Sequence, residues 1–169
     1  MMVHHHLDDA TLLRFASGDL DQAFSAVTSA HVSVCETCQR AVLAAEAVGG
    51  ELLEHNDGVA LSPGLFDELV ERIEAPDQKI HLVDDAPPPA GKPESDVPLP
   101  LRRLIGSSRD AIPWKRVGPG VRKFDVALDP NCGSSLFVLS VGPGMSVPEH
   151  GHGGDEMTLI LSGSYRDEL

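Results

Sequence analysis

One imidazole and two thiols lie within eight residues of one another in the segment His31-Val-Ser-Val-Cys35-Glu-Thr-Cys38. Zinc in proteins prefers four tetrahedral donors drawn from histidine nitrogens and cysteine thiolates. If His31 closes one helix while Cys35 and Cys38 straddle the start of the next, the three donors converge on one point. In a continuous helix, spacings of four and seven residues would also place them on one face. The segment therefore predicts a zinc site; the alternative is that both cysteines are ordinary helix residues and His31 is a surface residue.

A tetrahedral site needs a fourth donor, and the best candidate is His6, the last of three consecutive histidines. It directly precedes the first predicted helix, which could bring it back beside the end of the second. Capping residues, apolar spacing and glycine stops predict three helices here. They run from Asp8 or Asp9 to Phe15, from about Asp21 to His31, and from about Glu36 to Gly49-Gly50, with a further turn over residues 51–54.

Composition limits the classes of function that the chain can have. Its 169 residues carry 26 acidic and 13 basic side chains, a net charge of −13, which disfavours direct binding to nucleic acid because phosphate requires a basic surface. Only 4% of the residues are aromatic, which favours small cores that benefit from a metal staple. No apolar run reaches the ~18 residues of a membrane span, and no signal peptide is recognisable. We expect a cytoplasmic protein with reduced cysteines.

A fourth helix is predicted after Ser62-Pro63, where serine can cap the helix and proline can take its first position. Leu61 and Phe66 could form a hydrophobic staple across this start. Apolar residues then recur at a spacing of three to four, and this stripe can pack either on its own domain or on a partner protein. The candidate partner-binding face comprises Leu65, Phe66, Leu69, Val70 and Ile73.

Residues 86–100 contain six prolines and predict a semi-rigid spacer between two domains. The remainder of the chain has the pattern of a β domain, because short apolar runs alternate with Gly-Pro-Gly and Asp-Pro-Asn turns. These runs cover residues 114–117, 122–128, 136–141, 157–161 and 164–166. Helices first and strands afterwards predict an α-then-β, two-domain chain. We assign a zinc-stapled four-helix domain to residues 1–85 and a β domain to residues 101–169.

A second constellation of possible ligands lies inside the β region. Gly144, five residues, His150-Gly-His152, three residues, Glu156, six residues and Gly163 match the first motif of the cupin barrels in full. His-x-His on a strand points both imidazoles to one side, and the mixed nitrogen and oxygen set suits zinc, iron, manganese or nickel. The second cupin motif, with its fourth ligand, does not occur before Leu169. We therefore expect an incomplete barrel that is weakly stable alone or completed by another chain.

A zinc module of this spacing joined to a cupin resembles the ChrR family of anti-sigma factors, and the resemblance covers nearly the whole chain. It implies a cytoplasmic regulator, not an enzyme, that binds an extracytoplasmic-function (group IV) sigma factor one to one and keeps it off core RNA polymerase. The sigma factor would be released under oxidative stress of the singlet-oxygen type. Implied zinc ligands are His6, His31, Cys35 and Cys38; implied ligands of a second divalent metal are His150, His152 and Glu156.

Two other classes of function remain open at this point. A cupin could be a metal-dependent dioxygenase or isomerase that keeps a coordination position for substrate, but zinc-stapled helices have no place in such an enzyme. A zinc-finger protein that binds nucleic acid is disfavoured by the charge and by the lack of a basic recognition helix. The third cysteine, Cys132, lies in an Asn-Cys-Gly turn and is interpreted as an incidental exposed thiol.

Overall fold

The structure is a computed structural model that describes residues 3, 5–75, 95–147, 151 and 153–166. Its contacts divide the chain into two compact units, one formed by Met1–Glu51 with Ser95–Leu169 and the other by Leu52–Glu94. Mixed helices and a small antiparallel sheet make up the described part. None of the helices described is both long and apolar enough to cross a membrane.

Three helices lead the chain: α1 (Asp9–Ala16), α2 (Gln22–Val32) and α3 (Glu36–Glu54). The first two begin where the sequence predicts, because the Asp8 carboxylate accepts from the Thr11 amide at 2.9 Å and the Asp21 carboxylate accepts from the Phe24 amide at 3.0 Å. The sequence predicts that the third helix ends or loosens at Gly49-Gly50, with a further turn after it, whereas α3 continues through both glycines to Glu54. Each glycine costs about 1 kcal/mol relative to alanine in a helix, and the good helix formers on both sides offset that cost.

Two apolar clusters organise the first unit. One surrounds the start of α3, with Leu12, Cys35, Cys38 and Val42 buried together. The other joins α2 to the second half of the chain, and its buried members are Ala30, Val97, Leu101, Ile105, Ile112 and Val126. Thr28 on α2 is completely buried, and its hydroxyl lies 3.7 Å from the Met157 sulfur. Helix α2 thus packs against residues that are more than 60 positions away in sequence.

The end of the predicted spacer is packed rather than extended. Residues 86–94 lie outside the described residues, but Val97 is only 1% exposed, and its carbonyl accepts from the Arg102 side chain at 3.0 Å. A 3-10 turn over Leu99–Leu101 then leads into the short helix α5 (Arg102–Ile105). Apolar side chains at every fourth position from 97 to 105 bind this stretch to the α2 cluster, despite the prolines among them. The predicted division at residues 1–85, 86–100 and 101–169 otherwise remains a prediction.

Strands β1 (Lys115–Gly118), β2 (Val121–Asp125) and β3 (Phe137–Val141) form an antiparallel sheet in that order. They coincide with the first three predicted β runs to within a few residues. The runs predicted over 157–161 and 164–166 form no strand, because within the described part of the chain they have no neighbouring strand to pair with. Leu159 and Leu161 pack against the α2 cluster instead. The described residues therefore contain a three-stranded sheet and do not show a complete cupin barrel.

Helix α4 (Leu65–Glu74) belongs to the second unit and begins later than predicted. Gly64 precedes it in the left-handed conformation, with φ of 85°, and no side chain caps the helix. The predicted cap at Ser62 and helical start at Pro63 are therefore wrong, because the Ser62 carbonyl closes a turn with the Leu65 amide at 3.2 Å instead. The predicted staple is also absent, since Leu61 and Phe66 are each 75% exposed.

Replacing Asp21 by alanine is expected to lower the free energy of unfolding by about 1–2 kcal/mol, the usual value of a helix cap. Asp21 also accepts a hydrogen bond from the Ser134 hydroxyl, which links α2 to the loop before β3. Burial raises the pKa of Asp21, but the bonds from Ser134 and Phe24 outweigh it and hold that pKa below its ordinary value of 3.8. The contribution should therefore be complete above that value and fade as the pH falls through the lowered pKa.

Urea denaturation of parent and variant at neutral and acid pH measures this effect. The control is Asp19→Ala, which removes an ion pair with Arg14 at 3.0 Å whose side chains are mostly exposed, and which should cost less than about 0.5 kcal/mol. Equal losses in the two variants would show that Asp21 does not anchor α2.

Candidate metal centre

The structure brings together the four residues predicted to bind zinc. His6 lies just before α1, His31 in the last turn of α2, Cys35 directly before α3 and Cys38 in its first turn. One nitrogen or sulfur atom from each lies within 4.8 Å of those from the other three. The loop between α2 and α3 is short enough that one helix end and the next helix start present three of these donors to the same point.

The distances between donor atoms fit a tetrahedral zinc ion. His31 Nε2 lies 3.3 Å from Cys38 Sγ, and His6 Nδ1 lies 3.3 Å from Cys35 Sγ and 3.9 Å from Cys38 Sγ. With zinc bonds of about 2.3 Å to sulfur and about 2.0 Å to nitrogen, neighbouring nitrogen and sulfur ligands in a tetrahedron are about 3.5 Å apart. Four protein donors leave no coordination position for water, so such a site is structural rather than catalytic.

The two thiols lie in an apolar environment, where the thiolate forms require a positive charge close by. Cys35 and Cys38 are buried against Leu12 and Val42. Burial raises the pKa of the Cys38 thiol, the neighbouring Cys35 adds to this, and a hydrogen bond from the Leu7 amide to the sulfur opposes it. Two thiolates side by side in such a place need a compensating positive charge, which a divalent metal supplies when bound. The N-terminus of α3 adds a smaller favourable potential.

The histidine at the end of α2 is held in the form that binds metal. Burial lowers the pKa of His31, and the nearby His6 lowers it further. The imidazole is therefore neutral near pH 7 and keeps a lone pair for coordination. Its environment thus agrees with the role predicted from the spacing.

Gln39 supports the site, although its sequence position alone did not predict this role. The Gln39 side-chain amide donates to the Val32 carbonyl at 2.8 Å and so ties the first turn of α3 to the last turn of α2. The Cys35 amide donates to the His31 carbonyl at 3.0 Å across the same corner. The last carbonyls of a helix have no hydrogen-bond donor within that helix. Gln39 could have been identified as a polar residue that follows a metal ligand and lies close to such carbonyls at the end of α2. These bonds fix the spacing between His31 and Cys38.

The other predicted site residues are less fully described. His150 and His152 lie outside the described residues, and Glu156 is exposed, with its carboxylate accepting from the Thr158 hydroxyl at 3.3 Å. The second metal site therefore stays a prediction. Cys132 is half-buried rather than exposed, and its amide closes the turn from Asp129 at 2.9 Å.

No family model matches the sequence. The chain is 36% identical over 169 residues to the anti-sigma-E factor ChrR of Cereibacter sphaeroides, an alignment that covers 99% of this chain and 75% of that protein. The chain belongs to the family of ChrR anti-sigma factors. The structure agrees: it matches a chain in the crystal structure of Rhodobacter sphaeroides SigE in complex with the anti-sigma ChrR, with a TM-score of 0.69 and 31% identity. This match covers 90% of the present chain and 73% of the other, and the family resemblance predicted from the sequence is confirmed.

Proposed function

We propose that this member of the ChrR family binds an extracytoplasmic-function (group IV) sigma factor one to one and prevents its association with core RNA polymerase. The observation that supports this most strongly is the similarity, over 90% of the chain, to a chain from a complex of SigE with ChrR. The overall charge of −13 suits such a partner, because the surfaces with which sigma factors contact DNA are basic. The protein acts by occlusion, in the cytoplasm, and needs no catalytic group.

The inhibitory surface depends on the arrangement of α1, α2 and α3 around the four donors. His6 precedes α1, and its ring lies beside the three donors at the junction of α2 and α3. A zinc ion bound by all four donors would therefore link the three helices to one another. The buried cluster in this region is small, with Leu12, Cys35, Cys38 and Val42 as its buried members. Because so small a core supplies little stability, the metal would hold the docking surface in shape.

Helix α4 supplies a second contact surface. None of its residues is buried, and its five apolar positions lie on one side of the helix while Asp67, Glu68 and Glu71 lie on the other. Phe66 and Ile73 are each 75% exposed. An amphipathic helix with a bare apolar face typically docks into a hydrophobic groove of a partner protein. We assign Leu65, Phe66, Leu69, Val70 and Ile73 to this contact with the sigma factor.

Release of the sigma factor would follow oxidative stress of the singlet-oxygen type, as the family resemblance implies. Two chemical routes exist. The thiols of Cys35 and Cys38 are oxidisable, which would dismantle the zinc site. Alternatively, the ligands of a second divalent metal, for which we propose His150, His152 and Glu156, would be oxidised or rearranged. Induction of a reporter gene by light and a photosensitiser, with and without the Glu156→Gln substitution, separates these routes.

Co-expression with the group IV sigma factor of the source cell tests the proposed function. We expect the two chains to elute together at a 1:1 ratio, and the purified protein to suppress transcription from a promoter that depends on that sigma factor. A chain that elutes alone and leaves transcription unchanged, while being folded by circular dichroism, would contradict the proposal.

A further inference from the structure

The hairpin of β1 and β2 concentrates positive charge in an otherwise acidic chain. Four of the 13 basic residues lie between positions 115 and 123, and residues 111–124 contain no acidic side chain. The strand register places these cations directly opposite one another, Lys115 across from Lys123 and Arg116 across from Arg122. Like charges at opposite positions of neighbouring strands destabilise a sheet, so each pair needs compensation.

The lysine pair has its compensation within the chain. Lys123 forms an ion pair with Asp125 at 2.7 Å and lies 4.4 Å from the centre of the Phe137 ring. The hydrogen bond from Lys123 is the main reason why the pKa of the Asp125 carboxyl lies below its usual range. The positive charge of Lys115 lowers this pKa further. One carboxylate therefore serves both lysines on this face of the sheet.

The arginine pair, on the opposite face, has no carboxylate among the residues described. Arg122 donates to the Ser140 hydroxyl at 3.1 Å, and its guanidinium lies 5.3 Å from the centre of the Trp114 ring. Both partners are neutral. Arg116 forms no ion pair in the described part of the chain. The repulsion between the two guanidinium groups is thus left without an anionic partner.

The same two arginines line an open pocket of about 340 Å³. Trp114 and Ser140 form other parts of its wall, together with Gly120 and Gly142, which are joined by a backbone hydrogen bond of 2.9 Å. The volume lies at the small end of the range for ligand sites, about 300–1,000 Å³. Two planar guanidinium forks beside a flat aromatic ring are suited to a small molecule that carries an oxyanion.

We propose that this pocket binds the carboxylate or phosphate group of a small metabolite between Arg116 and Arg122, with the rest of the molecule against Trp114. The anion supplies the negative charge that the arginine pair lacks. A long polyanion such as nucleic acid fits less well, because the hairpin carries only four of the 13 basic residues and the chain has 26 acidic residues. The proposal is independent of sigma-factor binding.

Trp114 is the only tryptophan of the chain, so its fluorescence reports on this pocket. The full chain is titrated with inorganic phosphate and, separately, with citrate, while sodium chloride keeps the ionic strength constant. We expect a saturable change in emission with a Kd of about 1 mM or tighter for at least one of the two anions. A response to phosphate only identifies a phosphate ligand, and a response to citrate only identifies a carboxylate ligand.

Arg116→Gln is the decisive variant, because removal of this side chain breaks no ion pair in the described structure, and it should weaken anion binding about tenfold or more. Lys115→Gln is the matched control, since it removes the same charge from the neighbouring residue on the other face and should change the Kd less than about twofold. Thermal melting of both variants checks that they are folded. No saturable response of the parent to either anion, or an equal loss in both variants, would overturn the proposal.

Discussion

Replacing Cys35 and Cys38 together by serine is expected to remove zinc from the N-terminal site, unfold the arrangement of α1, α2 and α3, and abolish inhibition of the sigma factor. Structural zinc sites contribute about 10–16 kcal/mol of apparent binding free energy in small metal-dependent domains, as much as or more than the whole net stability of a typical domain, about 5–15 kcal/mol. The change also puts two hydroxyl groups into an apolar cluster beside Leu12 and Val42.

Far-UV circular dichroism, elemental analysis and a transcription assay measure the three effects in one preparation. Cys132→Ser is the matched control, because it makes the same chemical change at a half-buried cysteine of a distant turn. It should retain metal, helicity and inhibition. A double variant that stays folded and still inhibits transcription fully would show that inhibition does not require the zinc site.

Introducing aspartate at both Phe66 and Ile73 is expected to weaken sigma-factor binding by about 100-fold or more while leaving the fold intact. Buried interface residues that dominate binding cost about 2 kcal/mol or more each when truncated, and a charge in an apolar groove costs further desolvation. Both side chains are 75% exposed, so their replacement should not disturb folding. Binding is measured with the full chain by titration calorimetry or by competition in a transcription assay.

The matched control for this surface is Val59→Asp, an equally drastic change at a residue that is 87% exposed and lies before α4, outside its apolar face. It should bind within about twofold of the parent. Unchanged affinity in the Phe66→Asp, Ile73→Asp variant, with unchanged circular dichroism, would show that α4 does not contact the sigma factor.

The candidate metal centre was accessible to sequence reasoning because most of its geometry is local. His31, Cys35 and Cys38 lie within eight residues, so their donor atoms converge both in a continuous helix and in two helices joined by a short turn. Only the position of His6 beside them depends on the lengths of α1 and α2. The structure places all four together. The support from Gln39 was not predicted, since it depends on which carbonyls at the end of α2 remain open.

The errors of prediction arise where a single residue or a distant contact decides the structure. Ser62-Pro63 has the composition of a helix start, but Gly64 adopts a positive φ and delays α4 to Leu65. Val97 looked like part of a proline-rich spacer, because its burial depends on α2, more than 60 residues earlier in the chain. Residues 157–161 have β-like composition, yet a strand requires a neighbour to pair with. Packing of this kind depends on a partner that is distant in sequence, which the local pattern does not identify.

We propose that a zinc site near the amino end shapes the surface that holds the sigma factor. Elemental analysis of the purified 1:1 complex with the sigma factor tests this most directly. We expect at least one zinc ion per complex, and we expect the chain in which Cys35 and Cys38 are replaced to bind one ion fewer and to form no complex. A stable, transcriptionally silent complex that contains no metal would contradict it.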